Sequence, residues 1–145
     1  MLVERILPQA RELLATAEEG TTIRDAAGRM ARPHVHLLVV GDRKAAMTGI
    51  VTRTDIVAHV SRNLGLDSPV DCVMSRDVAH CRASDQLVDV WHAMKERRLQ
   101  RFPIINASRA PIGVAYVRDV LQGLLSDAEI EDDFLRDYIS GVGYR

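Results

Sequence analysis

The residues Gly49-Ile50-Val51-Thr52-Arg53-Thr54-Asp55 carry the spacing best suited to chemistry. Ile50 and Val51 read as a buried strand, and Ile56, Val57, Val60 and Leu64 read as the apolar positions of a helix. Thr52 therefore stands where a strand becomes a helix. A helix start presents unpaired N–H groups and a partial positive charge, which suits a phosphate. Asp55, one turn on, is an acceptor able to take both hydroxyls of a ribose. Gly49 lets the backbone turn or a ligand come close. The same residues also form a variant capping box, with Thr52 accepting from the first-turn N–H groups and Asp55 reaching back. The stretch alone leaves cap and phosphate site both open.

Other candidate chemistry is thin. His34 and His36 alternate, a spacing that also occurs in metal sites, but no Cys, Asp or Glu cluster follows at ligand spacing. No metal is expected, and the two read as strand-edge histidines. His59 and His92 read as surface or rim residues on their helices. Trp91 and Met94 read as core at helical spacing. There is no nucleophile–base pairing, no Gly-Lys-Ser/Thr phosphate loop and no carboxylate pair set up for acid–base work, so no enzyme is expected.

The chain of 145 residues is one domain's worth, or two small intimate halves, and 47% apolar content supplies a core. A net charge of −1 argues against a general nucleic-acid binder. Cys72 and Cys81 lack metal spacing and read as reduced thiols. No signal peptide and no apolar run long enough to span a bilayer is found, so the expected setting is the cytoplasm, without a membrane partner.

The elements that must position Thr52 and Asp55 come twice. A shift of 64 positions carries Gly49 to Gly113, Ile56 to Val120 and Asp55 to Asp119. It also carries Ala15 to Ala79, Asp25 to Asp89, Met30 to Met94 and Asp42 to Asn106. Each copy reads β-α-β-β-α, and neither is large enough to bury its apolar face alone. In the first copy, residues 14–17 read as a short strand and Thr22 caps a helix ended by Pro33. Residues 35–40 and 47–52 read as strands, and 53–64 as a helix stopped by Gly65. In the second, residues 78–81 read as a short strand, and Ser84 caps a helix over 85–98. Strands over 102–105 and 111–116 and a helix over 118–125 follow. Pro103 cannot donate to a ladder, so its nitrogen should face an edge or bulge.

Ahead of the copies lies a short helix that places Pro8 in its first turn. Behind them, Ser126 and Glu129 make another capping box. The apolar stripe Ile130, Phe134, Leu135, Tyr138 and Ile139 follows, so a separate tail helix over 126–145 is expected. The fold class is therefore α/β (α+β): a first unit over 10–65, a second over 74–125, an N-terminal helix and a C-terminal helical tail.

Tandem β-α-β-β-α units, each ending in Gly-x-x-Thr/Ser-x-x-Asp after an apolar strand or a variant of it, resemble the CBS-domain family (Bateman modules). The resemblance covers about residues 10–125. It implies a stand-alone pair of bacterial type, packed through its sheets into one pseudo-two-fold module with two clefts. It also implies an adenosine ligand: AMP, ADP or ATP, or sometimes NAD or S-adenosylmethionine. Homodimers through the units and an unidentified protein target are the implied partners. By the resemblance Asp55 holds the ribose, Thr52 binds phosphate, Gly49 belongs to the motif and Thr16 lines the adenine end. His36 and Arg101, near the start of the second strand of each copy, are implied as basic phosphate contacts.

The second copy departs from this pattern. Tyr116 stands at the position of Thr52, and His80 at that of Thr16, while Gly113 and Asp119 are kept. A phenol ring occupies space a phosphate needs and cannot cap as threonine does. One competent cleft is thus expected, with the second, marked by His80, Arg101, Tyr116 and Asp119, empty or adapted. The expected function is a regulatory sensor of an adenosine nucleotide. The alternative is a ligand-free dimerisation or interaction scaffold.

Overall fold

The computed structural model describes the backbone of residues 1–139 and the side chains of residues 1–128. A 3-10 turn over Val3–Ile6 leads into α1 (Leu7–Glu12), with Pro8 in its first turn. The first unit follows as β1 (Thr16–Glu18), α2 (Ile23–Met30), β2 (Leu37–Gly41), β3 (Met47–Thr52) and α3 (Arg53–Ser61). The second gives α4 (Leu87–Arg97), β4 (Arg101–Ile105), β5 (Pro111–Tyr116) and α5 (Val117–Ile139). In the first sheet β2 is central, parallel to β1 and antiparallel to β3; β4 and β5 form a second, antiparallel sheet.

The duplication reaches the backbone. The ladder shifts register between Val40 and Gly41, and again between Ile104 and Ile105. Asp42 Oδ1 accepts from the amides of Lys44 and Ala46 in one hairpin, and Asn106 Oδ1 from those of Ser108 and Ala110 in the other. Left-handed residues also recur at the repeat distance: His34 (φ 69) with Arg98 (φ 55), and Ala45 (φ 62) with Arg109 (φ 64).

β2 is buried on both faces, as its continuous apolar run requires. Leu38 and Val40 enter the first unit's core with Ile23, Ala26 and Val51. Leu37 and Val39 turn the other way and meet Ile105 and Val114 of the second sheet, so the units pack sheet to sheet. The second unit's own core holds Leu87, Val90, Met94, Phe102, Ile104 and Val120.

The leading segments are exchanged. Val3, Ile6 and Ala10 precede the first unit yet pack in the core of the second. Val70, Val73 and Met74 precede the second unit yet pack in the core of the first. Each leader also covers the other unit's first long helix. The Leu87 amide donates to the Met1 carbonyl (2.8 Å), and that of Ile23 to the Ser68 carbonyl (2.8 Å). Gly49 and Gly113 permit this crossing. A Cβ on Gly49 would lie 2.8 Å from the Ser75 carbonyl oxygen, and one on Gly113 would lie 3.0 Å from Ala10 Cβ.

Several local expectations change. Residues 78–81 do not make a strand; Cys81 alone bridges to Ile104, because only its amide and carbonyl meet β4. Those bonds engage the Pro103 carbonyl and the Ile105 amide. The Pro103 nitrogen therefore points away from β5, where no ladder donor is needed. Ser84 is not a cap: α4 begins at Leu87 after Gln86, and the Met1 carbonyl takes the amide that a side chain would have taken from the other side of the turn. α3 ends at Ser61 rather than Leu64, because Asn63 takes the left-handed conformation (φ 57) that was expected of Gly65. Ser126 caps nothing: with no breaker after Leu125, α5 runs on unbroken to Ile139. The side chains of the stripe from Ile130 onward lie outside the described residues.

Candidate functional site

Thr52 is the N-cap of α3, and the capping box is complete. Thr52 Oγ1 accepts from the Asp55 amide (3.3 Å), while Asp55 Oδ2 accepts from the Thr52 amide (2.8 Å) and the Thr52 hydroxyl (3.0 Å). The box engages the amides of Thr52 and Asp55. The first-turn amides of Arg53 and Thr54 take no part in it, and both residues line a cavity.

That cavity, about 440 Å³, lies between the units. Ile50, Thr52, Arg53 and Thr54 bound it on one side, His36 and Leu37 at the start of β2, and Leu99, Gln100 and Arg101 at the start of β4. The segment 75–79 closes it with Ser75, Asp77, Val78 and Ala79. Ser75 is held there by paired backbone bonds with Ile50, 3.0 and 2.9 Å. Arg53 is not available to a ligand. Its guanidinium donates to the carbonyls of Met30, Arg32 and Val35, neutralising the C-terminal end of α2.

A second, smaller cavity of about 100 Å³ adjoins the first and shares His36, Leu37 and Arg101 with it. Its other walls are Leu13, His34, Val114, Tyr116 and Arg118. The Arg101 guanidinium carbon lies 4.7 Å from the Tyr116 ring centre, and that of Arg118 lies 5.3 Å away. Partial desolvation of its ring, then the charges of Arg101, Arg53 and His34, hold the His36 pKa below its ordinary 6.5.

Thr52 and His36 thus meet in one cavity, and Arg101 and Tyr116 in the other, with His36 and Arg101 common to both. The remaining residues singled out from sequence lie elsewhere. Thr16 lines a separate hollow of about 650 Å³ with Glu18, Arg29, Asp42 and Pro111, because β1 pairs on the far edge of β2 from β3. Asp55 is drawn into the cap and lines another hollow with His59, Arg62 and Cys72, and Asp119 lines the matching one beside Met1 and Arg5. Gly49 faces the crossing leader rather than a cleft. His80 is exposed and turns its Nδ1 to the Val78 carbonyl at 2.9 Å, outside the smaller cavity.

His59, read as a rim residue, is 5% exposed, and its Nε2 sits 2.7 Å from the Gly65 carbonyl oxygen, tying down the end of α3. Trp91 is a partly buried flank of the second core, with the Lys95 ammonium 5.3 Å from its ring centre. Cys81 is buried, and burial, then Asp85, pushes its thiol up to about 12, so it stays protonated and inert. Among the described residues no cluster of His, Cys, Asp or Glu suits a metal, and no helix is long and apolar enough to cross a membrane.

Sequence reasoning missed Thr54, Asp77, Val78, Ala79 and Gln100. Each cleft combines the strand–helix junction of one copy with the entry segment of the other. A motif read within one copy reveals only the first part.

Comparison with known proteins bears on the fold and the family. An uncharacterized 17.7 kDa protein of Acidianus ambivalens is 30% identical over 122 residues, covering 84% of this chain and 74% of the relative. A homoserine O-acetyltransferase of Methanobrevibacter ruminantium is 30% identical over 91 residues, 63% of this chain, but the match spans only 18% of that enzyme. Among solved structures, the CBS domain pair of protein MJ0100, in complex with 5'-methylthioadenosine and S-adenosyl-L-methionine, superposes with a TM-score of 0.73 at 20% identity, covering 88% of this chain and 98% of that one. A CBS domain protein from Pyrobaculum aerophilum complexed with AMP gives a TM-score of 0.73 at 21% identity, covering 87% and 99%. The family model described as CBS domain matches twice, at residues 10–62 and 70–126, and the chain therefore belongs to the CBS-domain family as a tandem pair.

Proposed function

We propose that this protein is a regulatory module whose larger cleft binds an adenosine compound and passes occupancy on to a partner. The observation that carries this is the cavity of about 440 Å³ at the start of α3, within the range of small-molecule sites. It offers three kinds of surface in one place. Leu37, Ile50, Val78 and Ala79 give an apolar wall for a base. Thr52, Thr54 and Asp77 give hydroxyl and carboxylate partners for a ribose. The Arg53 and Thr54 amides, with His36 and Arg101, give a positive end for phosphate. The structural neighbours support the adenosine class, since their bound 5'-methylthioadenosine, S-adenosyl-L-methionine and AMP share that moiety. In this reading Asp77 takes the ribose, since Asp55 lines a different hollow.

Thermal unfolding with AMP, ADP, ATP, NAD and S-adenosylmethionine tests the reading. A ligand at a hundred times its dissociation constant adds about 2.7 kcal/mol. Asp77→Asn should weaken that ligand while Asp55→Asn acts mainly on stability. If none of the five shifts the transition, the module is not an adenosine sensor.

A second reading, an assembly scaffold with vacant clefts, draws on α3, where Val57 is 65% and Val60 49% exposed. Homodimerisation through this face belongs to either reading. Val57→Glu with Val60→Glu should yield monomers in sedimentation, and an unchanged assembly would remove α3 as the contact.

A further inference from the structure

The smaller cleft has a composition of its own. Arg101 and Arg118 both lean on the Tyr116 ring, His34 and His36 complete the wall, and no carboxylate is among its lining residues. Neither arginine is within ion-pair distance of a carboxylate among the described residues, where the ion pair found is Arg24–Asp67. Two guanidinium groups held on one aromatic ring repel each other, and a shared anion relieves that repulsion while accepting from both. The phenol ring was expected to take the space of a phosphate, yet with Tyr116 in place about 100 Å³ remains, well below a nucleoside site but enough for a tetrahedral oxyanion. Leu13 stands where the larger cleft has Asp77, so the partner for a ribose is missing as well.

We propose that the smaller cleft is a phosphate-group pocket, in which Arg101 and Arg118 grip the oxygens, Tyr116 orients both guanidinium groups and the two histidines close the wall. The phosphate group has two possible sources. One is a free inorganic phosphate or pyrophosphate. The other is the terminal phosphate of a nucleotide whose base lies in the larger cleft, reached through the shared His36 and Arg101. The first source stands without the nucleotide reading, and the second rests on it.

Calorimetric titration of the full chain at low salt separates these cases. The probes are inorganic pyrophosphate, AMP and ATP. The variants are Arg118→Gln, an exposed residue that lines only the smaller cleft, and Arg97→Gln, an equal change of charge at an exposed site outside it. With a free source, pyrophosphate binds, Arg118→Gln weakens it at least about tenfold, and Arg97→Gln and AMP binding are unaffected. With a nucleotide source, pyrophosphate alone is weak, ATP binds more tightly than AMP, and Arg118→Gln removes that advantage. If Arg118→Gln changes neither pyrophosphate nor the ATP-to-AMP ratio, or no more than Arg97→Gln does, the pocket is not a phosphate site. Failure of AMP and ATP alone, with pyrophosphate retained, would remove the nucleotide reading and leave the pocket standing.

Discussion

The two clefts occupy equivalent places in a duplicated chain, yet one is about 440 Å³ and the other about 100 Å³. Thr52 and Thr54 at the rim of the first become Tyr116 and Arg118 at the second. Around them the framework has hardly changed: both ladders slip at the same place, both hairpins close on an Asx side chain, and both pairs of left-handed residues persist. The backbone geometry persists even where its residues change, as at His34 with Arg98 and Ala45 with Arg109, and a rim side chain in water is free to specialise. The cores differ as well, as at Ala26 with Val90 and Leu38 with Phe102, but the exchanges at the rim are the ones that alter what can bind.

The strongest way to break this comparison is through the cores. Ile23 and Leu87 are repeat mates, and both are fully buried. Ile23→Ala and Leu87→Ala should each cost about 2–5 kcal/mol and give a single transition in denaturant. Two separate transitions would show that the units are independent. Gly49→Ala should come next, at about 1–3 kcal/mol, since the new Cβ meets the Ser75 backbone at 2.8 Å. Thr52→Ala should cost about 1 kcal/mol by loss of the cap. The reverse exchange, Tyr116→Thr together with Leu13→Asp, puts the first cleft's rim residue and ribose partner into the second. It should move AMP stoichiometry from one towards two per chain; a stoichiometry fixed at one would mean that these two residues are not what sets the clefts apart.

The smallest effect concerns protons. The unfolded chain protonates His36 near 6.5, whereas desolvation and the charges of Arg101, Arg53 and His34 delay this in the folded protein. Arg118 and Tyr116 complete its surroundings in the cleft. The unfolded state thus binds more protons just below pH 6.5, and stability should fall as the pH drops through that window. His36→Gln, which copies its repeat mate Gln100, should flatten the slope in pH-dependent unfolding. An anion in either cleft should raise the His36 pKa, so its binding should tighten as the pH falls.

Much of this was legible in the sequence. The 64-residue shift, the strand–turn–strand–helix order and the cap at Thr52 follow from periodicity and turn chemistry. Thr52 was read from the strand–helix junction at the end of β3, whereas His36, just ahead of β2, came only from the family resemblance. Asp55 shows where legibility stops. The spacing allowed cap or ribose contact, and only the coordinates show the carboxylate bonded to the Thr52 amide. Asp77 and Val78 carry no local signal, because their place in the larger cleft depends on the leader crossing between copies. An apolar pattern shows that Val3, Ile6 and Ala10 need a core, but not which core receives them.

The exchanged leaders bear on how such a chain can arise and be divided. A cut between the copies would strip each globule of the lid supplied by the other, leaving Ile23 and Leu87 open to water. A lone copy with its own leader would need a sibling to trade with, so a symmetric pair of short chains is the simplest ancestor this architecture permits. Joining the two into one gene then frees each mouth to change its occupant without forcing the same change on its twin.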